Sequence, residues 1–149
     1  MADKLQASLS TLALETFVEI ITEHFARIPY HVYEDAKERF YQTIFMICLE
    51  LSEIQTQGEV ATNKGRIDVL CGLTDMFYIF ELKVDQEAAT WMRQAINQQY
   101  SQRCRHQGKK IVVMGVGFSS QERNIGTWQG ELLDEHGALI RKLAPAAKQ

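Results

Sequence analysis

Two apolar runs separated by a short turn make up the stretch GRIDVLCGLTDMFYIFELKVD, Gly65–Asp85, and three charged residues interrupt them. Asp68 lies within the first run, and Glu81 and Lys83 lie within the second. An ionisable group is costly to remove from water, whereas Val or Ile in a buried strand is not. The position of three charges inside apolar runs therefore indicates a function that needs them.

The pattern of this stretch predicts a hairpin of two strands, Arg66–Leu73 and Met76–Val84. Alternate residues of a strand point to the same face of a sheet. Glu81 and Lys83 therefore share one face of the second strand.

The register of the hairpin decides where the first carboxylate lies. We predict a loop of even length in which Cys71 lies opposite Met76. In that register Asp68 lies opposite Ile79, on the same face as Glu81 and diagonal to it. A loop of odd length would turn Asp68 to the other face, so the convergence of the two carboxylates depends on the register.

Two carboxylates beside a lysine form a donor set that suits a hard divalent cation. Mg²⁺ prefers oxygen ligands and retains several waters, so a few protein ligands suffice. Such an ion lowers the pKa of a bound water and neutralises charge on a phosphate, and Lys83 would orient the water and stabilise the developing negative charge. The alternative is a solvated sheet face with a surface Glu–Lys pair, which is common and contributes little to stability.

The composition of the chain indicates which class of protein it belongs to. A length of 149 residues, 46% of them hydrophobic and 23% charged, is typical of one compact domain. The net charge of −3 excludes a global basic field, so any contact with nucleic acid must come from a local patch. The 3 cysteines form no CxxC pair, which favours reduced thiols. Without a signal peptide or an apolar run of membrane-spanning length, a soluble cytoplasmic protein is expected, with no membrane partner.

The hydrophobic periodicity predicts an α/β domain spanning residues 1–149, with a central mixed sheet flanked by helices in the order ααβββαββ. N-terminal helices are expected over about residues 10–52, a sheet core over about 57–133, and a frayed tail over 144–149. A helix between two buried strands predicts a right-handed crossover, so those strands should be parallel. The predicted elements are helices at Ser10–Arg27, Tyr33–Ser52 and Gln86–Arg105, and strands at Gln57–Thr62, Arg66–Leu73, Met76–Val84, Lys109–Phe118 and, as a short edge strand, Thr127–Leu133, which a turn at Asp134–Gly137 follows.

The segments GRIDVL and FELKVD also resemble the core of the PD-(D/E)xK nuclease superfamily, specifically the nuclease-like domain often found after an AAA-ATPase-like domain in bacterial and archaeal proteins. The resemblance covers most of the chain, because other segments stand in the family's order: FARIPYHV, ERFYQTIFMICLEL, GEVATNKGRIDVL, QAINQQY and IVVMGVGFSSQERNI. It implies a restriction-endonuclease-like fold and Mg²⁺-dependent hydrolysis of phosphodiester bonds, with Mn²⁺ as a substitute ion.

The resemblance also implies roles for particular residues. Asp68 corresponds to the family's metal-binding aspartate, and Glu81 and Lys83 correspond to its ExK pair. The main-chain carbonyl of Leu82 is then a further metal ligand. Ile67 stands where the family's motif has its nominal proline, a departure that does not touch the chemistry.

Two more residues match the family outside the hairpin. Glu38 is the best match for an acid that a preceding helix often supplies, and Glu59 is a rival for that position. Gln94 fits the glutamine often found on the helix after the ExK strand. A glutamate on a helix surface and an amide that caps a sheet edge are the corresponding structural interpretations.

Basic residues could provide the local patch that nucleic-acid binding requires. Arg66, Arg93, Arg103 and Lys109 are the candidates. A run of charge is more often a solvated face.

The sequence supports two hypotheses of function. The first is a metal-dependent nuclease that acts on DNA, with RNA as an alternative substrate. The second is a non-catalytic nuclease-like module, regulatory or nucleic-acid-binding, that works with an ATPase domain. The sequence contains no P-loop motif, so an ATPase partner would be a separate domain. Assembly as a homodimer is a further expectation.

Overall fold

The computed structural model describes residues 2–62, 65–86 and 104–145. Its helices are α1 (Ala2–Ser10), α2 (Leu14–Ala26), a 3₁₀ helix (Tyr30–Tyr33) and α3 (Glu38–Leu51). Its strands are β1 (Gln55–Thr62), β2 (Gly65–Gly72), β3 (Met76–Val84), β4 (Lys110–Ser119), β5 (Asn124–Leu133) and β6 (Leu139–Leu143). Among the helices of these ranges, none combines the length and the apolar character needed to cross a bilayer.

The strands form one sheet in the order β1-β2-β3-β4-β5-β6. Only β3 and β4 run parallel, and the other neighbouring strands are antiparallel. The prediction of an α/β fold with a mixed sheet and a parallel β3–β4 pair is therefore confirmed. The helix predicted between these strands falls on residues 87–103, which lie outside the described residues.

Helices α2 and α3 attach to the sheet through aromatic side chains. The rings of Phe17 on α2 and Phe45 on α3 lie 5.7 and 5.0 Å from the ring of Phe80 on β3. Phe45 also contacts Phe118 on β4. Full burial of one phenylalanine contributes about 1.5–3 kcal/mol, so this cluster is a main source of the attachment.

β4 is buried on both faces. Val112 and Met114 belong to the core beneath the helices, whereas Ile111 and Val113 belong to a smaller apolar cluster on the other side of the sheet. Burial on both sides explains why the sequence of this strand reads as one continuous apolar run.

The N-terminal region contains a helix that the sequence did not predict. One helix was expected over Ser10–Arg27, but α1 ends at Ser10 and α2 begins at Leu14. Leu12 breaks the helical path with a φ of 60°, in the left-handed region. The pattern of apolar residues did not reveal α1, because the helix is short.

The second predicted helix begins later than Tyr33. The segment before it is a 3₁₀ helix, and Asp35 follows with a φ of 61°. Lys37 is extended, and α3 begins at Glu38, whose negative charge suits the first turn of a helix.

β5 is not the short edge strand that the sequence predicted. It begins at Asn124, and β6 pairs with it as the outer strand. The predicted turn after β5 is confirmed, because the Asp134 carboxylate accepts hydrogen bonds from the main-chain N–H groups of His136 and Ala138 at 2.8 and 2.9 Å. β6 was missed because Leu139 and its neighbours are exposed and show no alternation.

The register of the β2–β3 hairpin differs from the prediction by two positions. Cys71 lies opposite Tyr78 rather than Met76. The loop is shorter than predicted, because the Leu73 N–H donates to the Met76 carbonyl at 2.9 Å. A shift of two preserves the face of every side chain. Continuing this register puts Asp68 directly opposite Glu81 instead of opposite Ile79.

The hydrogen bond that anchors α1 gives a test of the fold. The buried Tyr78 hydroxyl donates to the Leu9 carbonyl at 2.6 Å. Tyr78→Phe keeps the ring but removes this hydrogen bond, while the Leu9 carbonyl retains the Leu12 N–H at 3.3 Å, so we expect the free energy of unfolding to fall by about 0.5–1.5 kcal/mol. Urea unfolding measures it. Tyr30→Phe is the control, because the Tyr30 side chain is 71% exposed; equal effects of the two substitutions would contradict this anchoring of α1.

Candidate functional site

Asp68 lies where the pairing of β2 is interrupted on both sides. Against β1, Gly58 pairs with Val69 and Val60 pairs with Ile67, so the pairs skip Glu59 and Asp68. Against β3, the pairs end at Val69. Glu59 has a φ of 50°, in the left-handed region, which is unfavourable for a side-chain-bearing residue.

Hydrogen bonds between side chains and main chain continue the β2–β3 contact past this point. The Leu82 N–H donates to Asp68 Oδ2 at 2.8 Å. The Asp68 main chain in turn provides a hydrogen bond to the Glu81 carboxyl group. The two carboxyl groups are therefore held next to each other, each by the opposite strand.

Glu81 is a buried carboxyl group, with 6% of the residue exposed. Its Oε1 has no hydrogen-bond partner among the residues of the described ranges. The pKa of Glu81 is raised to about 9, mainly by burial and in addition by the charge of Asp68 and a hydrogen bond with its side chain, while the charge of Lys83 and a hydrogen bond with the Asp68 main chain oppose these effects. A buried oxygen without a partner is uncommon in proteins and calls for an explanation such as an ion.

α3 brings a third carboxyl group to the same place. Glu38 Oε1 lies 3.8 Å from Lys83 Nζ, and both side chains are partly exposed. Burial raises the pKa of Glu38 above its ordinary value, Lys83 lowers it and Asp68 raises it. The three carboxyl groups and the lysine therefore lie in one electrostatic neighbourhood.

Gln42 is a residue of this neighbourhood that the sequence analysis missed. It follows Glu38 by one helical turn on α3, and its Nε2 donates to the Asp68 carbonyl at 3.2 Å. The helical period puts positions i and i+4 on one side of a helix, so the proximity to Glu38 was a usable signal.

The two predicted basic residues with described positions, Arg66 and Lys109, contact groups other than the two carboxyl groups. Arg66 is exposed and lies 3.8 Å from Glu59, which also faces Arg39 at 3.5 Å. Lys109 Nζ donates to the Leu73 carbonyl at 2.8 Å, at the opposite end of β3 from Lys83. Lys109 therefore does not join the site.

Three predicted residues, Gln94, Arg93 and Arg103, lie outside the described ranges. Within those ranges, no group of three or more His, Cys, Asp or Glu side chains is arranged to hold a metal ion. Asp68 and Glu81 are a pair, and Glu38 faces Lys83 rather than completing a triplet.

Comparison with known families identifies the family to which the chain belongs. Residues 36–128 match the family described as the PD-(D/E)XK nuclease superfamily. The matched range contains α3, the β2–β3 hairpin and β4, and thus all the site residues described above. The chain belongs to the PD-(D/E)XK nuclease superfamily.

One curated relative is similar to this PD-(D/E)XK chain. It is "Uncharacterized protein in vnfD 5'region" of Azotobacter chroococcum mcd 1, with 29% identity over 112 residues. The match covers 71% of this chain and 22% of the relative, so the chain spans about a fifth of the relative's length. No solved structure matches the chain.

The donor set fits the divalent ion that nucleases of the PD-(D/E)XK superfamily generally use. Carboxylate oxygens are the ligands that hard cations prefer. The Oε1 of Glu81 has no partner among the described residues, and the raised pKa shows that the site favours a positive ion, a proton in the absence of metal, beside the two carboxyl groups.

The raised pKa of Glu81 makes stability depend on pH when metal is absent. The folded protein retains this proton up to about pH 9, whereas an unfolded glutamate releases it near pH 4.5. The folded state binds more protons in this window, so the free energy of unfolding should fall as pH rises through it.

Glu81→Gln removes the proton uptake that wild type needs on folding, so in EDTA at pH 8 we expect the substituted protein to be more stable than wild type by about 3–5 kcal/mol. At pH 5 the difference should shrink, because this pH lies close to the ordinary pKa of an unfolded glutamate and protonation then costs little. Urea unfolding at both pH values measures it, with the exposed Glu59→Gln as control. A wild-type protein as stable as Glu81→Gln at pH 8 would contradict the raised pKa of the buried Glu81 carboxyl group.

Proposed function

We propose that the protein is a divalent-metal-dependent nuclease that hydrolyses phosphodiester bonds in DNA. The observation that supports it is the buried Glu81 carboxyl group beside Asp68, with an oxygen that lacks a partner among the described residues. A structural carboxylate in such a place is normally paired with a cationic side chain or several N–H donors. Nucleases of this superfamily generally use a divalent metal ion, and such an ion would be the positively charged partner of Glu81.

Asp68, Glu81 and the main-chain carbonyl of Leu82 would hold Mg²⁺, or Mn²⁺ in its place, and Glu38 is the remaining candidate ligand. Bound there, the ion would supply a water of lowered pKa and would neutralise charge on the phosphate.

Lys83 would act on the substrate rather than on the ion. It shares a face of β3 with Glu81 by strand alternation, and its Nζ lies 3.8 Å from Glu38 Oε1. This ion pair would orient the ammonium group toward the phosphate and the attacking water. Stabilisation of charge that develops in the transition state raises the rate without tightening ground-state binding.

The proposed substrate is DNA, because two exposed guanidinium groups, one on α3 and one on β2, lie beside Glu59. Arg66 and Arg39 have exposed fractions of 68% and 84%, and Glu59 lies between them. Such groups contact phosphates irrespective of base sequence. RNA carries the same phosphates and is the alternative substrate.

A non-catalytic nuclease-like module is the second candidate function. The observation that favours it is the pairing of Glu38 with Lys83, which engages two of the four charged groups with each other. The similar Azotobacter protein is several times longer than the matched segment, so further domains such as an ATPase are candidate partners.

Cleavage assays separate the two functions. Plasmid DNA, single-stranded DNA and RNA are incubated with the protein in Mg²⁺, Mn²⁺ or EDTA. We expect DNA cleavage that requires the divalent ion and is abolished in Asp68→Ala. The absence of cleavage of every substrate in both metals, with a folded protein, would favour the non-catalytic module.

The role of Lys83 gives a sharper test. Lys83→Ala removes a positive charge near the ion, so Mn²⁺ should bind at least as tightly as to wild type. Cleavage should nevertheless fall by about a hundred- to a thousandfold, the usual cost of one group that acts on the transition state.

Lys142→Ala, on the outer strand β6, is the matched control and should retain full activity. A merely structural Glu38–Lys83 pair would contribute less than about 1 kcal/mol to stability and nothing to catalysis. Full activity of Lys83→Ala would therefore contradict the proposed mechanism.

A further inference from the structure

Asp68 has no paired residue on a neighbouring strand in the described part of the sheet. β1 pairs with β2 on either side of Asp68 but not at it, and β3 pairs with β2 only from Val69 onward. A partly buried carbonyl without a donor is costly. Gln42 supplies the donor, because its Nε2 lies 3.2 Å from this oxygen.

The amide also fixes the residue that carries the carboxylate. The direction of the Asp68 side chain follows from its main chain, and the side-chain Oδ2 accepts the Leu82 N–H at 2.8 Å. Because the described strand pairs skip Asp68, its main chain is held here by Gln42 and by the hydrogen bond with Glu81. We infer that Gln42 is a positioning residue, which holds the main chain of Asp68 and thereby aims its carboxylate at Leu82 and Glu81.

Through Gln42 and Glu38, α3 contacts both strands that carry the site. The two residues are four positions apart, on one side of the helix, and reach β2 and β3 respectively. The role of Gln42 in metal binding rests on the proposed function. Its role in holding Asp68 does not, since both hydrogen bonds join protein groups alone.

Loss of an amide that only supports the fold should leave Asp68 and its contacts unchanged. The chain contains such an amide for comparison. Asn124 Nδ2 donates to the Thr22 carbonyl at 3.1 Å and joins β5 to α2. This bond has the same chemistry and similar length as that of Gln42, but it involves none of the site residues. Asn124→Ala is therefore the control for the loss of such a bond, and it also removes the Oδ1 that accepts from the Ile125 N–H at 2.9 Å.

The first experiment measures amide hydrogen exchange by NMR in EDTA. Gln42→Met keeps the length of the side chain and removes the donor. We expect the Leu82 amide to exchange several-fold faster, up to about tenfold, because its acceptor is no longer held. Asn124→Ala should leave it unchanged. An unchanged Leu82 amide in Gln42→Met would overturn the inference.

The second experiment measures Mn²⁺ binding by calorimetry. Loss of a group that orients a metal ligand typically weakens affinity by about ten- to a hundredfold. We expect such a loss in Gln42→Met and in Gln42→Leu, but not in Asn124→Ala. Unchanged Mn²⁺ affinity in both Gln42 variants would overturn the positioning role in metal binding. A wild-type protein that binds no Mn²⁺ would instead overturn the proposed metal site, while the exchange experiment would still decide how Asp68 is held.

Discussion

Two carboxyl groups on neighbouring strands are held so close that both cannot ionise without repulsion, and most features of the site follow from this constraint. Burial and the charge of Asp68 raise the pKa of Glu81 to about 9. The Leu82 N–H and the Gln42 amide hold Asp68 in place although the repulsion would separate the groups. Such an arrangement is unfavourable as a structural element and becomes favourable when a cation neutralises it.

The sequence predicted the central strands well because their pattern is dictated by burial. The bounds of β3 and its parallel pairing with β4 agree with the prediction, since a strand covered on both faces must be apolar throughout. The ends of the chain were predicted poorly. α1 is too short to show a clear period, and β6 exposes Leu139 and Ile140, which conceals the alternation of a paired strand.

The candidate site was predictable to the extent that it is local in sequence. Alternation along β3 fixes the relation of Glu81 to Lys83, and the parity of the hairpin fixes the face of Asp68. The two-residue error in register could not be avoided, because two loop lengths of equal parity give the same faces. The contribution of Gln42 depends on a break in strand pairing beside Glu59, and a left-handed backbone at a glutamate has no signature in the sequence.

The account depends on one claim, that the Asp68–Glu81 pair is a cation site. A crystal structure of the protein with Mn²⁺, with anomalous diffraction to locate the ion, tests this claim directly. The account predicts an anomalous peak bound to Asp68 and to the Glu81 Oε1 that has no partner among the described residues. A well-ordered site without such a peak at saturating Mn²⁺, with Glu81 protonated beside Asp68, would contradict it.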